Sequence, residues 1–316
     1  MRALKVGAVS RNYFNLPLWI AQHAGFFARE DLSVEIVLIE GIDEVTRRLA
    51  AGEFQFALDV TENVILNAEQ GGRLQIVGGN VNRLPFSFIA RPHIKTWQDL
   101  RGARIGVSAI SAGSSSLVMK LLAAQGLRHP QDYTLLAVGP ILARWKMLQS
   151  GEIDAGLQGA PLNYMALDAG FVDLGNPREQ FPDFQFTSLD TDTEWAKKHE
   201  DTAVAFLRAW LAAHRWFYDN KAGATEIAVK ETGVEQRYAE RAWDEYVRDE
   251  IFPRDGGASV AAVQALLEVS SLIRNLPGRS RSRAAQYINH DYLDRASGRM
   301  TSAICSGGVP GGKNPR

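Results

Sequence analysis

The sequence is poor in the residues that most chemistry needs. It has one cysteine, Cys305, so an intrachain disulfide and a cysteine metal cluster are both excluded. Lysine plus arginine number 35 against 36 acidic residues, a net charge of −1, which gives nucleic acid or an anionic membrane little to hold. No apolar run is long enough to cross a bilayer. The six histidines never fall at metal-ligand spacing. There is no G-x-S-x-G elbow for a serine nucleophile and no G-x-G-x-x-G loop for a dinucleotide. A G-x-x-x-x-G-K match ends at Lys313, but Asn314 stands where a phosphate loop needs Ser or Thr, and no strand precedes it. Metal, cofactor and catalytic residues are accordingly none in this reading.

What is present is a regular alternation of short apolar strands with amphipathic helices. Over 316 residues, with 46% hydrophobic content, it predicts roughly two α/β domains with mostly parallel sheets. The stretch Ile105 to Gly126 is the most telling part. A strand, Ile105-Gly-Val-Ser, runs through Ser111-Ala-Gly-Ser-Ser-Ser into a helix with Leu117, Val118, Leu121 and Leu122 on one face. Free N–H groups and the positive dipole end at such a helix start can hold an anion. The alternative is plain capping by Ser114 or Ser115. Long helical patterns follow from Asp201. From 297 to 316, five glycines and two prolines predict a disordered tail.

The chain also repeats itself. Leu49-Ala-Ala-Gly-Glu-Phe-Gln-Phe-Ala-Leu58 resembles Leu148-Gln-Ser-Gly-Glu-Ile-Asp-Ala-Gly-Leu157, and Gly7 with Gly106 and Gly71 with Gly170 keep the same 99-residue offset. That period is too long for a solenoid unit and suits two similar lobes. Ligands of parallel sheets sit beyond the carboxyl ends of the strands. The rule gathers Ser10 to Asn15, Val60 to Asn63, Ser111 to Ser116 and Gly159 to Pro161 around one cleft. Extended runs near Ser87 to Arg91 and Thr187 to Asp190 are expected to join the lobes.

Pro17-Leu-Trp-Ile-Ala with Gly25-Phe-Phe-Ala-Arg-Glu-Asp-Leu-Ser-Val-Glu, Leu49-x-x-Gly-Glu-Phe, Ile94-x-x-Trp-x-Asp-Leu-Arg-Gly-Ala-Arg-Ile-Gly-Val and Leu148-x-x-Gly-Glu-Ile-Asp-Ala together carry a resemblance. They are similar to signatures of the nitrate/sulfonate/taurine solute-binding proteins of ABC transporters, which share a fold with the thiamine-pyrimidine biosynthesis proteins. The resemblance covers roughly residues 5 to 275. It implies a two-lobed, type II periplasmic-binding-protein-like α/β fold with two crossover strands. Lobe one would be 1–89 with 190–296, and lobe two 90–189. It implies capture of a small organic anion, a sulfonate or carboxylate, for delivery to an ABC permease in the membrane. The chain would act as a monomer in the periplasm and not as an enzyme. No secretory signal is visible, since Met1-Arg-Ala-Leu-Lys-Val runs straight into a strand, so a cytoplasmic ligand sensor is one alternative. The other is an enzyme of the pyrimidine-synthase or desulfinase type. Those relatives use cysteines that this chain does not offer in its cleft.

On the resemblance, Ser111, Gly113, Ser114 and Ser115 form the anion-holding loop. Arg11, Asn12, Tyr13 and Phe14 form the loop that shapes selectivity. Thr61, Glu62 and Asn63 face the cleft, and the strand-end rule adds Gly159 and Ala160. Glu62 suits a helix start on dipole grounds alone, yet in the cleft it would accept from a ligand amine or ring N–H. Tyr13 and Phe14 would stack on a ring or only fill a wall.

Overall fold

A computed structural model describes residues 1–110, 113–270 and 283–298. Ser111 and the predicted tail from 299 onward with Cys305 lie outside the described residues. In the described part the chain is mixed α/β, with two five-stranded sheets.

The first sheet contains β1 (Arg2–Val9), β2 (Leu32–Ile39), β3 (Phe56–Val60) and β4 (Leu74–Val81). The second contains β5 (Phe86–Ala90), β6 (Arg104–Val107), β7 (Thr134–Ala137), β8 (Ala155–Gly159) and β9 (Val172–Asp173). A tenth strand, β10 (Thr187–Asp192), returns to the first sheet. The orders are β2-β1-β3-β10-β4 and β7-β6-β8-β5-β9. In each, three parallel strands are followed by one antiparallel strand. The 99-residue offset maps β1 onto β6 and β3 onto β8, so the internal repeat is a repeat of sheet topology.

Helices connect the parallel strands, as βαβ geometry requires. The first set is α1 (Leu16–His23), α2 (Phe26–Arg29), α3 (Ile42–Ala50) and α4 (Thr61–Glu69). The second is α5 (Gly113–Ala124), α6 (Ile141–Ser150) and α7 (Leu162–Asp168). After β10 come α8 (Thr193–Lys198), α9 (Glu200–Asp219), α10 (Lys221–Thr232), α11 (Gln236–Arg248), α12 (Val260–Ser270) and α13 (Asp291–Ser297). The apolar face of α9 lies over the first sheet: Phe206 stacks on Phe56 at 4.1 Å and on Phe27 at 5.1 Å. None of the helices among the described residues is long and apolar enough to cross a membrane.

Thr61 is the first residue of α4, and its Oγ1 donates to Ser188 Oγ at 3.0 Å. Asp43 sits in the first turn of α3 behind Gly41. The expected crossover strands shift: β5 is paired wholly within the second sheet and β10 within the first. The chain therefore passes between the sheets at 82–85 and again at 174–186. Arg178 braces both passages. Its Nη1 donates to the Leu84 carbonyl, and its Nη2 to Glu245 at 2.9 Å and Asp249 at 2.8 Å on and beside α11.

Candidate ligand-binding site

The carboxyl ends of β1, β3 and β6 converge on one pocket between the sheets. It encloses about 680 Å³ of empty space, part of it open to solvent. From the first-sheet side come Val9, Asn12, Phe14, Val60, Glu62, Phe186 and Thr187, with Leu266 of α12. From the second-sheet side come Ser108, Ser114, Leu117, Pro140 and Ile141. The wall is mostly apolar, and Glu62, only 1% exposed, is its one ionisable lining residue among the described residues.

Buried amides hold the first-sheet wall. Asn15 Nδ2 donates to Ser10 O at 2.6 Å and Asn12 Nδ2 to Val9 O at 3.1 Å, which fixes the turn after β1. Asn80 on β4 donates to Phe14 O at 2.9 Å and to Thr187 Oγ1 at 3.0 Å, so one side chain positions two parts of the wall. Phe14 meets Phe186 edge to face at 5.8 Å. On the other wall, Ser108 N donates to Ser114 Oγ at 3.2 Å, and Ser115 Oγ donates to Ala109 O at 2.6 Å.

A smaller pocket of about 380 Å³ adjoins it, lined in part by Arg11, Asn12, Tyr13, Phe14, Gly159 and Ala160. Arg11, expected to meet a ligand anion, is engaged elsewhere. Its Nη1 bonds Glu231 Oε2 at 2.7 Å and Glu231 O at 2.8 Å, while His23 Nε2 sits 2.6 Å from Glu231 Oε1. Burial pushes the Glu231 carboxyl up, but hydrogen bonds from His23 and Arg11 outweigh it and leave its pKa below the ordinary value. Tyr13 is buried against Tyr246 at 5.0 Å, with its hydroxyl donating to Ala239 O at 3.3 Å.

The structure thus brings Asn12, Phe14, Glu62 and Ser114 together in the main pocket, and places Arg11, Tyr13, Gly159 and Ala160 in the adjoining one. Thr61, Asn63 and Ser115 lie behind the wall: Thr61 bonds Ser188, and Asn63 Nδ2 donates to Asp43 at 3.1 Å. Gly113 is the first residue of α5. Sequence reasoning missed Ser108, Ile141, Phe186, Thr187 and Leu266. The strand-end rule would have found Ser108 after β6 and Ile141 after β7; Phe186, Thr187 and Leu266 arrive from elements that return from a distance in sequence. Behind the wall a buried polar chain links Thr61, Ser188 and Asp190 with Asp59 and Thr46. Burial pushes the Asp59 carboxyl up to about 7, against the Thr46 and Val60 hydrogen bonds, and pushes Asp190 well above its ordinary range.

With this geometry in hand, comparison with known proteins gives a consistent fold and a divided function. A 4-amino-5-hydroxymethyl-2-methylpyrimidine phosphate synthase of Schizosaccharomyces pombe is 26% identical over 215 residues, 62% of this chain and 60% of the relative. The chain thus matches only about three fifths of that relative's length. A formylaminopyrimidine-binding protein of Halalkalibacterium halodurans is 25% identical over 219 residues, 66% of this chain and 64% of the relative. Among solved structures, the alkanesulfonate-binding protein SsuA of Xanthomonas axonopodis pv. citri, bound to MOPS, superposes with a TM-score of 0.72 at 18% identity, covering 91% of this chain and 98% of that one. The periplasmic nitrate-binding protein NrtA of Synechocystis PCC 6803 gives 0.77 at 14% identity, covering 94% and 89%. These likenesses establish the periplasmic-binding-protein-like fold. They overturn the expectation that the chain is not an enzyme, because a relative as similar as the binding proteins bears an enzyme's name. The family described as NMT1/THI5 like matches residues 13–224, two thirds of the sequence, and the chain belongs to that family.

Proposed function

We propose that the chain captures a small organic acid with an apolar body in the cleft between its two sheets. The observation that carries this reading is the pocket itself. Both sheets contribute to it at their strand ends, its walls are largely apolar, and a few convergent polar groups stand at fixed places. Ser108, just past β6, and Ser114, at the start of α5, offer hydroxyls to an acidic head, and Phe14 and Phe186 offer a surface to its body. In this reading, the first sheet, with β10 returned to it, moves as one lobe and the second sheet, whose strands span 86 to 173, as the other, so the expected boundaries at 89/90 and 189/190 shift to the crossings at 82–85 and 174–186. The chain acts as a monomer that delivers its ligand to an ABC permease, from the periplasmic side.

A second reading is favoured by Glu62, a buried carboxylate on the wall. It would accept from the ring or amino N–H of a pyrimidine, the ligand class in the names of two relatives. That pyrimidine would be either a captured ligand or a substrate.

A thermal-shift screen of alkanesulfonates, aromatic acids, nitrate and pyrimidines separates the two. A ligand bound only by the folded chain adds about 2.7 kcal/mol of stability at a hundredfold excess over Kd. Shifts confined to organic acids support the first reading. Shifts confined to pyrimidines support the second, and mass spectrometry of the incubated pyrimidine then distinguishes binding from turnover. Shifts with neutral sugars alone would overturn both.

A further inference from the structure

Arg144 on α6 is a buried cation without an acidic partner among the described residues. Its side chain is 2% exposed, and among the described residues it forms no ion pair. Nη1 donates to the Leu157 carbonyl, Nη2 donates to Ser108 Oγ at 2.8 Å, and Nε has no hydrogen-bond partner. Burial alone pulls its pKa down to about 10, so the group is still charged at neutral pH. A buried charge of this kind is costly to the fold unless something compensates it.

The sheet is built to admit it. Gly106 on β6 and Gly156 on β8 are direct register partners. A Cβ on Gly156 would lie 2.9 Å from Arg144 Cδ, and one on Gly106 would lie 3.2 Å from Cγ. Two facing glycines therefore open a trough through which the guanidinium reaches Ser108, a residue that lines the main pocket. The positive charge ends one hydroxyl behind the second-sheet wall. Glu62 lines the pocket from the first-sheet side.

We propose that Arg144, acting through Ser108, is the fixed counter-charge for an acidic group of the ligand, and that together with Glu62 it selects molecules carrying an acidic group at one end and a nitrogen donor at the other. This rests on the reading of the cleft as the binding site. Arg144 is a positioning residue: it polarises Ser108 and holds its hydroxyl, and does not itself line the pocket. Low polarity around the site strengthens the effect, since the apolar wall leaves little water to screen it.

MOPS, a morpholine joined to a propanesulfonate, and its two halves, morpholine and propane-1-sulfonate, test the proposal by calorimetry. The wild type is expected to bind MOPS more tightly than either half. Arg144→Leu should weaken MOPS and propane-1-sulfonate about tenfold or more and leave morpholine unchanged. Arg144→Lys should recover most of the loss. The ligand-free melting temperature of Arg144→Leu should equal or exceed that of the wild type, because an uncompensated buried charge is gone; a merely structural role would lower it. Should Arg144→Leu not fold, Ser108→Ala carries the test and should weaken MOPS and propane-1-sulfonate while leaving morpholine unchanged. Unchanged MOPS affinity in a folded Arg144→Leu overturns the proposal, as does a wild type that binds none of the three probes. Leu117→Trp, which fills the pocket, tells the two readings apart. If it leaves MOPS binding intact, the cleft reading fails; if it abolishes binding while Arg144→Leu does not, only the role of Arg144 fails.

Discussion

The ring of Phe54 stands 2.6 Å from the point where a Cβ on Gly7 would fall. The same relation recurs 99 residues later, where Ile153 stands 2.5 Å from the corresponding point on Gly106. The internal repeat thus preserves a packing event: the residue that leads into the third parallel strand closes over a bare patch on the first. Gly7→Ala is expected to destabilise the chain by about 1–3 kcal/mol, the usual cost of overpacking. Urea denaturation measures it. An unchanged midpoint would mean that the ring can step aside.

Arg178→Ala is expected to be among the most damaging single changes. It removes the cationic partner of Glu245, which is almost wholly buried and is left with the Tyr164 hydroxyl, and strips the Leu84 carbonyl of a donor. Breaking one side of a buried pair costs about 3–5 kcal/mol. The double variant Arg178→Met/Glu245→Leu should recover part of that loss, since no lone charge is left. Equilibrium denaturation of both variants checks the order.

Stability should depend on pH through Asp59. Its folded pKa, pushed up to about 7 by burial, lies above the ordinary value of 3.8. The folded state therefore binds the proton more tightly than the unfolded chain does. The resulting contribution is fully present below pH 3.8 and is lost as pH rises through 7. Asp43 on α3 pushes in the same direction, and Asp190 on the neighbouring strand, raised by its own burial and by Asp59, titrates with the same sign. Asp59→Asn should flatten the fall in stability between pH 5 and pH 8 by an amount on the order of a few kcal/mol. Parallel pH dependence in the two proteins, followed by thermal melts, would contradict this assignment.

Glu62→Gln should separate ligands by their nitrogen. Loss of a charge-assisted hydrogen bond lowers affinity for an amine- or ring-N–H-bearing ligand about tenfold or more. A nitrogen-free alkanesulfonate should bind the variant at least as well as the wild type, because a negative charge has left the wall. Calorimetry with taurine and propane-1-sulfonate makes the comparison.

Much of the architecture was legible in the sequence, and the reasons are physical. Gly7 and Gly106, with the paired Leu-x-x-Gly-Glu segments, revealed two like sheets because close strand packing demands the same small residue twice. The strand-end rule placed Phe14, Glu62 and Ser114 at the pocket. It failed for Phe186, Thr187 and Leu266, which reach the wall only after the chain has left and returned. Arg11 misled for a different reason: its partner Glu231 is 220 residues away, and a free-looking cation in a loop gave no hint of it. Arg144 was equally hidden, since an arginine in an amphipathic helix reads as a solvated charge until two glycines on neighbouring strands are seen to make room for it.

The strands β5 and β10 both fill the antiparallel fourth position of a sheet, but only β10 is parted from its sheet by a crossing, so that Asp59 finds Ser188 across 129 positions. The first sheet thus stays open along β3 until the ribosome has passed residue 192, although four of its five strands have been made by residue 81. The second sheet, whose strands all lie between 86 and 173, is complete in sequence first. Long-range pairing of this kind is slow and leaves an edge unpaired meanwhile. A growing chain therefore finishes its middle before its beginning, and a chain cut anywhere before β10 leaves the N-terminal sheet without the strand that separates β3 from β4.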